Sequence, residues 1–339
     1  MESTIDLASC LADIPDRRRA EGKMYGQVGV ILFSIIAMLS GARSYRQIHA
    51  LIDRRLAVLN AAFPQAALRR APAYTSVRGI LQRLDPAELE RAFRRHAEGL
   101  DQSCAAAPSR FIAIDGKTLR QSFDAFADRK AAHVLSAFAV DHQIILAHEV
   151  VDEKSNEIHG NDLIVQVKDN QPSLLRRLED IAATTAPVAI DDSRHLARNR
   201  QEDRSVAVYL PGSALDETEW ASLVAAVVRV ERQTLIRSAA TGQWTTRRET
   251  AFYASSVMLP AQTFANAIRN HWAIENQNHW VRDVTLAEDA SRIRVNQGII
   301  ARLRSQVLNI ARANGVTNIA EALWAAALDP AISLSYSGL

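Results

Sequence analysis

Residues 24–42, MYGQVGVILFSIIAMLSGA, carry no charged side chain. So apolar a run has two fates. It spans a bilayer, for which about 20 apolar helical residues suffice, or the rest of the protein surrounds it. Gly, Ser and Gln interrupt the run, and the chain has no second stretch like it. The expectation is therefore a helix buried in a core, with no membrane contact. A chain of 339 residues is long enough for two or three such cores.

The rest of the composition agrees. Charged residues at 23 % and hydrophobic residues at 48 % are ordinary for a folded protein. The two cysteines, Cys10 and Cys104, form no CxxC, which favours a reducing, cytoplasmic setting and argues against a cysteine-rich zinc site. The N-terminus opens on acidic and polar residues, unlike a secretory signal. Net charge is only +2, but arginines outnumber lysines 35 to 5. Guanidinium forks suit phosphate and carboxylate; a GC-rich genome gives the same bias.

Periodicity then divides the chain. Residues 1–105 read as helical. Asp85-Pro86-Ala87-Glu88 combines an N-cap, a first-turn proline and an N3 glutamate. The helix it opens bears Arg91, Arg94 and Arg95, and Thr75-Ser76 can cap another bearing Arg78 and Arg83. Arginines on two short helices fit a DNA-binding module, and a solvated helix face looks the same. After a small-residue linker at 105–108 the period becomes that of strands, at Phe111–Ile114, His133–Val140, Ile144–Val151 and Leu163–Val167. Asp141-His142-Gln143 is short enough for a hairpin. Leu174–Ala183 reads as helix, and Ser205–Leu210, Leu223–Glu231 and Arg247–Ser255 as strands. From Pro260 the chain is mostly helical.

Two places carry chemistry. FIAIDGKTLR, 111–120, ends a buried strand on Asp115, either a turn residue or a ligand. HWAIENQNHWVRDV, 271–284, wound as an α-helix, puts His271, Glu275 and His279 on one face at i, i+4 and i+8, with Arg282 nearby. Two histidines around a glutamate could bind zinc, but the spacing is not HExxH. A polar helix face bonded to neighbouring loops is the plainer reading.

FIAIDGKTLR, HVLSAFAV, VDEKSNEI, VKDNQPSLL and IRNHWAIENQNHWVRDVTLAEDASRIR, in that order, resemble the H-repeat-associated family of bacterial insertion-sequence transposases. The resemblance runs from about residue 10 to 313. It implies an α/β, RNase H-like mixed sheet with a β-rich insertion behind a helical N-terminal domain. The expected boundaries are 1–105 for the helical, DNA-binding domain and 106–339 for the DDE domain. The latter divides into first strands at 106–185, the insertion at 186–258 and a helical part at 259–339. It also implies two aspartates and a late-helix glutamate holding Mg²⁺ or Mn²⁺ for phosphoryl transfer on double-stranded DNA at the element's ends, with a homodimer bridging them. Oxygen ligands and a metal pair suit that chemistry. By resemblance Asp115 is the first aspartate and Glu275 the glutamate, both metal ligands. Lys117, Arg200, Arg204, His271 and Arg282 are the implied DNA contacts. Where the family's glutamate helix bears Tyr, Arg and Lys, this chain has Ile268, His271 and Arg282, so only the last keeps a cationic residue.

The sequence departs from the family between VDEKSNEI and VKDNQ. SNEIHGNDLIV passes almost directly from one to the other, and the helix–strand–helix unit expected to carry the second aspartate is absent. From 152 to 162 there is too little chain for a helical crossover, which takes a dozen or more residues. Asp169 becomes a replacement if the Leu163–Val167 strand takes the vacated place beside Asp115; Asp152 and Glu153 are weaker substitutes. At 199–204, NRQEDR replaces the family's His-Gly-Arg-hydrophobic-Glu but keeps Arg200, Glu202 and Arg204. The leading expectation is a DNA-binding transposase-family protein with strand transfer lost or impaired. An active Mg²⁺-dependent transposase using Asp169, a metal-dependent nuclease or phosphatase sharing the fold, and a membrane-anchored interaction protein compete with it.

Overall fold

A computed structural model describes residues 6–20, 23–104, 111–118, 133–151, 162–197, 199–272, 274–291, 293 and 295–339. The chain forms two compact units: Met1–Ser155 with His271–Leu339, and Asn156–Asn270.

The first unit is built round the uncharged run. Helix α2 (Gln27–Leu39) is buried at every residue but Val28, as a helix apolar on all sides must be. Among the described residues no helix is long and apolar enough to cross a membrane. Helices α1 (Leu7–Ala12), α3 (Tyr45–Ala62) and α4 (Tyr74–Gln82) pack on it. Gly29 is where the chain after α3 crosses α2: a Cβ there would overlap the Ala66 carbonyl oxygen.

Helix α5 (Pro86–Cys104) starts as its sequence predicts. The Asp85 carboxylate accepts the N–H groups of Ala87 at 2.9 Å and Glu88 at 3.3 Å. Thr75 and Ser76 do not cap α4, which begins a residue earlier with Ala73 at its N-cap, so both fall in its first turn. The arginines of α5 are already engaged. Arg91 pairs with Glu88, Arg94 with Glu90 and Glu149, and Arg95 with Asp13.

Strands β1 (Ile112–Thr118), β2 (His133–Ala139) and β3 (Ile144–Val151) form an antiparallel sheet in that order, β2 and β3 joined by the expected hairpin. Gln143 turns it with φ 60°. The free edge of β3 is satisfied from two helices. Asn309, on α8 (Gln297–Ala313), donates to the Ile145 carbonyl at 2.7 Å and accepts its N–H at 2.8 Å. Glu90 accepts the N–H of His148 at 2.7 Å. The helices of the first hundred residues, this sheet and α8 thus share one core. The change of period near residue 105 divides two kinds of sequence, not two compact bodies. Helices α9 (Ile319–Leu328) and α10 (Pro330–Leu334) complete the unit.

The second unit is a five-stranded antiparallel sheet in the order β4-β8-β7-β6-β5. Its strands are β4 (Ile164–Val167), β5 (Ala189–Ala197), β6 (Arg200–Tyr209), β7 (Ala226–Arg237) and β8 (Trp244–Ser255). Alternate residues face opposite helices. Ala207, Tyr209, Val227 and Phe252 meet α6 (Pro172–Thr184), whereas Val206, Val208, Val228 and Val230 meet α7 (Ala261–His271). This unit is larger than the insertion expected at 186–258, since β4, α6 and α7 belong to it. Strand β5 escapes a hydrophobic reading because it is an edge strand, and its Asp191, Asp192, Arg194 and His195 suit an edge. The fold is α/β, but every described strand pair is antiparallel, so the parallel neighbours of a mixed sheet are not among the described strands.

Candidate functional site

Asp115 lies on β1 opposite Ser136 of β2, which lies opposite His148 of β3. The three share one face of the sheet, Asp115 half-buried and the other two buried. His279 Nδ1 stands 3.5 Å from Asp115 Oδ2. Lys117 follows two residues along β1, opposite Val134.

The segment carrying His279 is not the α-helix its sequence predicts. Helix α7 stops at His271, and Ile274–His279 and Val281–Thr285 wind with the wider i→i+5 bonding of a π-helix. The Leu286 N–H accordingly reaches the Val281 carbonyl at 3.1 Å. The inward side is the row Ile274, Asn278, Arg282, each fully buried. Of the row expected to act together, His271 and Glu275 are exposed and His279 is half-buried.

Buried polar groups without partners gather here. Among the described residues neither the oxygen nor the nitrogen of the Asn278 amide has a hydrogen bond, and Gln277 Oε1 and Ser136 Oγ have none. Arg282 gives Nη2 to both oxygens of Glu288, at 3.0 and 2.9 Å, but its Nε and Nη1 have no hydrogen-bond partner among the described residues. Glu288 also has Arg304 Nη1 at 3.7 Å, and burial pulls the Arg304 pKa down. The guanidinium of Arg282, expected to meet DNA, here serves the interior.

Beside His148 sits a second charged group. Glu90 accepts from Arg94 Nε at 2.9 Å and Arg302 Nε at 2.5 Å as well as from the His148 N–H. Burial alone would raise its pKa, but the His148 hydrogen bonds and the nearby charges outweigh it and hold the carboxyl at about 2. Burial pulls His148 down to about 4, against the Glu90 contact. His148 Nε2 bonds Ser305 Oγ at 2.9 Å.

The carboxylates that the resemblance gathers round a metal are not gathered. Among the described residues no three His, Cys, Asp or Glu side chains group to hold an ion. Strand β4 pairs with β8 and not with β1, so the strand exchange meant to bring Asp169 beside Asp115 is not made. Asp169 is exposed past the end of β4. Asp152 and Glu153 lie outside the described residues. Among the described residues the donor set, one carboxylate answered by a histidine, does not fit a pair of Mg²⁺ ions.

In the second unit Glu202 bridges Arg200 at 2.6 Å and Arg204 at 3.0 Å along β6. The register places Arg232 opposite Arg204 and Glu249 opposite Arg232, while Thr234 and Arg247 continue the Glu202 row. Glu249 pairs with both Arg232 and Arg247. Arg204 Nε is buried without a hydrogen-bond partner among the described residues, and desolvation pulls its pKa down. Sequence reasoning reaches Arg200 and Arg204 but misses Arg232 and Arg247, which only the strand register brings to the same face.

Residues 8–97 match a family described as DDE_Tnp_1-associated. Over 344 aligned positions the chain is 30 % identical to "Putative protein YbfL" of Escherichia coli (strain K12), covering 88 % of this chain and 87 % of the relative. It is 29 % identical to "H repeat-associated putative transposase YhhI" of the same strain, with the same coverage. "Putative transposase YncI" of Escherichia coli O157:H7 is 28 % identical over 362 positions, covering 92 % of this chain and 88 % of the relative.

Proposed function

Because the chain belongs to the H-repeat-associated family of insertion-sequence transposases, we propose that it is a DNA-binding member of that family whose strand-transfer chemistry has gone with an internal segment. The observation that carries this reading is the unassembled carboxylate set round Asp115. A metal pair in phosphoryl transfer stabilises the attacking and the leaving oxygen together. One carboxylate opposite a histidine cannot hold it.

The alignments run over more positions than this chain supplies. The match to YbfL runs over 344 positions but uses 88 % of a 339-residue chain, so several dozen positions of the relative face no residue here. The YncI match behaves alike, 362 positions against 92 %. An RNase H-like origin for the first unit is supported by its order: three antiparallel strands in sequence, the first bearing Asp115, and a later helical segment bearing Glu275. Double-stranded DNA is the partner. Arg200, Arg204, Lys117 and His271 remain the contacts proposed by resemblance, and a homodimer bridging two ends is the assembly that resemblance suggests.

The test is binding and cleavage of duplexes carrying the DNA that flanks the reading frame, with Mg²⁺ or Mn²⁺, by the wild-type chain, Asp115→Asn and Asp169→Asn. Binding without cleavage is the expected result. Cleavage abolished by Asp115→Asn would overturn the proposed loss, and its further dependence on Asp169 would identify the third ligand.

A further inference from the structure

Residues 24–84 hold eight arginines and a single acidic residue, Asp53, in a chain whose net charge is only +2. The arginines are Arg43, Arg46, Arg54, Arg55, Arg69, Arg70, Arg78 and Arg83. All but the half-buried Arg55 are exposed. None of the eight has a carboxylate within ion-pair distance among the described residues, whereas on the next helix Arg91 and Arg95 each have one and Arg94 has two.

Part of this set is fixed into one surface. Arg46, on α3, stacks over the ring of Tyr74 at the start of α4, 5.5 Å from its centroid. Arg78 follows Tyr74 at i+4 and bonds Gln82 another turn on, so Tyr74, Arg78 and Gln82 line one side of α4. His49 anchors α3 to the chain entering α4 through the Pro72 carbonyl, at 2.9 Å. Arg43 leads into α3, its N–H held by Gln47 at 2.8 Å, and Arg83 ends α4. Resting on the reading that this protein binds DNA, we propose that the α3–α4 surface centred on Arg46, Tyr74 and Arg78 binds the phosphate backbone of duplex DNA, independently of the Arg200–Arg204 strand.

Charge decides the partner class. Guanidinium forks beside an aromatic ring, with no carboxylate partner among the described residues, match phosphodiester oxygens, and phosphate contacts dominate sequence-independent affinity. An anionic membrane would also attract them, but membrane-surface helices turn an apolar face outward. Here the apolar faces, Ile48, Ile52 and Leu59 of α3 and Val77, Ile80 and Leu81 of α4, are buried.

The experiment measures the salt dependence of affinity by fluorescence anisotropy with a short labelled duplex. The full chain is compared with Arg46→Gln/Arg78→Gln, Arg200→Gln/Arg204→Gln and, as a paired-arginine control, Arg91→Gln, circular dichroism confirming that each folds. Removing two backbone contacts lowers the log–log salt slope by about 2, and affinity by about tenfold or more at low salt. The control leaves both unchanged. An unaltered slope in Arg46→Gln/Arg78→Gln, with wild-type protein still binding, overturns this assignment and leaves the proposed function standing. Failure of the wild-type chain to bind any duplex at low salt removes both. Tighter binding to phosphatidylserine vesicles than to DNA, lost in the same double variant, overturns it in favour of a membrane.

Discussion

Glu90→Gln tests how the first unit is held together. The side chain keeps its shape and an oxygen for the His148 N–H but loses the charge facing Arg302 and Arg94. A folded pKa of about 2 against an ordinary 4.5, at 1.36 kcal/mol per unit, corresponds to about 3 kcal/mol. Breaking a buried pair by removing one partner costs a similar 3–5 kcal/mol. Because the folded value is depressed, this stabilisation is complete above pH 4.5 and lost as pH falls towards 2. His148, depressed from 6.5 to about 4, is held neutral, so its contribution is complete above pH 6.5 and lost as pH falls towards 4. Urea unfolding at neutral pH followed by circular dichroism, with a slope of about 2 kcal/mol per molar, then shows the variant's midpoint lower by about 1.5 M. The gap from wild type closes between pH 4.5 and 2. A midpoint shift below about 0.5 M, or a gap that persists unchanged at acid pH, refutes the reasoning.

Two substitutions probe other parts of the same unit. Gly29→Ala sets a methyl against the Ala66 carbonyl oxygen; the backbone must move, and a loss of about 1–3 kcal/mol in the same unfolding assay is expected. Asn278→Leu replaces a fully buried amide with no partner among the described residues. Relieving its desolvation raises stability by about 1 kcal/mol or more, seen as a higher melting temperature, whereas a drop of that size shows that the amide has a partner after all.

Much of the fold was legible because local signals were strong. The uncharged run 24–42, interrupted by Gly, Ser and Gln, pointed to a buried core helix, the Asp85 cap marked the start of α5, and Asp141–Gln143 marked a hairpin. What stayed hidden depends on partners distant in sequence. Strand β4 looked available to Asp115, but nothing in Leu163–Val167 reveals that Ile164–Val167 pairs with residues 252–255. The α-helical face His271-Glu275-His279 followed from ordinary spacing, and i→i+5 winding replaced it with Ile274-Asn278-Arg282. No sequence period announces that change. The arginines of α5 fit a nucleic-acid face in sequence, but Glu88 and Glu90 of the same helix and Asp13 and Glu149 from elsewhere pair with them, whereas those of α3 and α4 have no carboxylate partner among the described residues.

This division of charge explains how such a protein can keep the proposed DNA binding after the proposed loss of its chemistry. Strand transfer needs three carboxylates converging on one metal pair, so removing the segment that supplies one removes the reaction. The core round α2 is another matter. It is closed by α5, α8 and β1–β3, and Glu90 and Asn309 occupy the free edge of β3. None of these contacts draws on chain between residues 152 and 161. The proposed backbone binding is equally insulated, because each phosphate contact adds its own increment and the arginines proposed to provide it stand on elements folded elsewhere. The proposed loss therefore takes the function that depends on convergence and spares the one that depends on a sum.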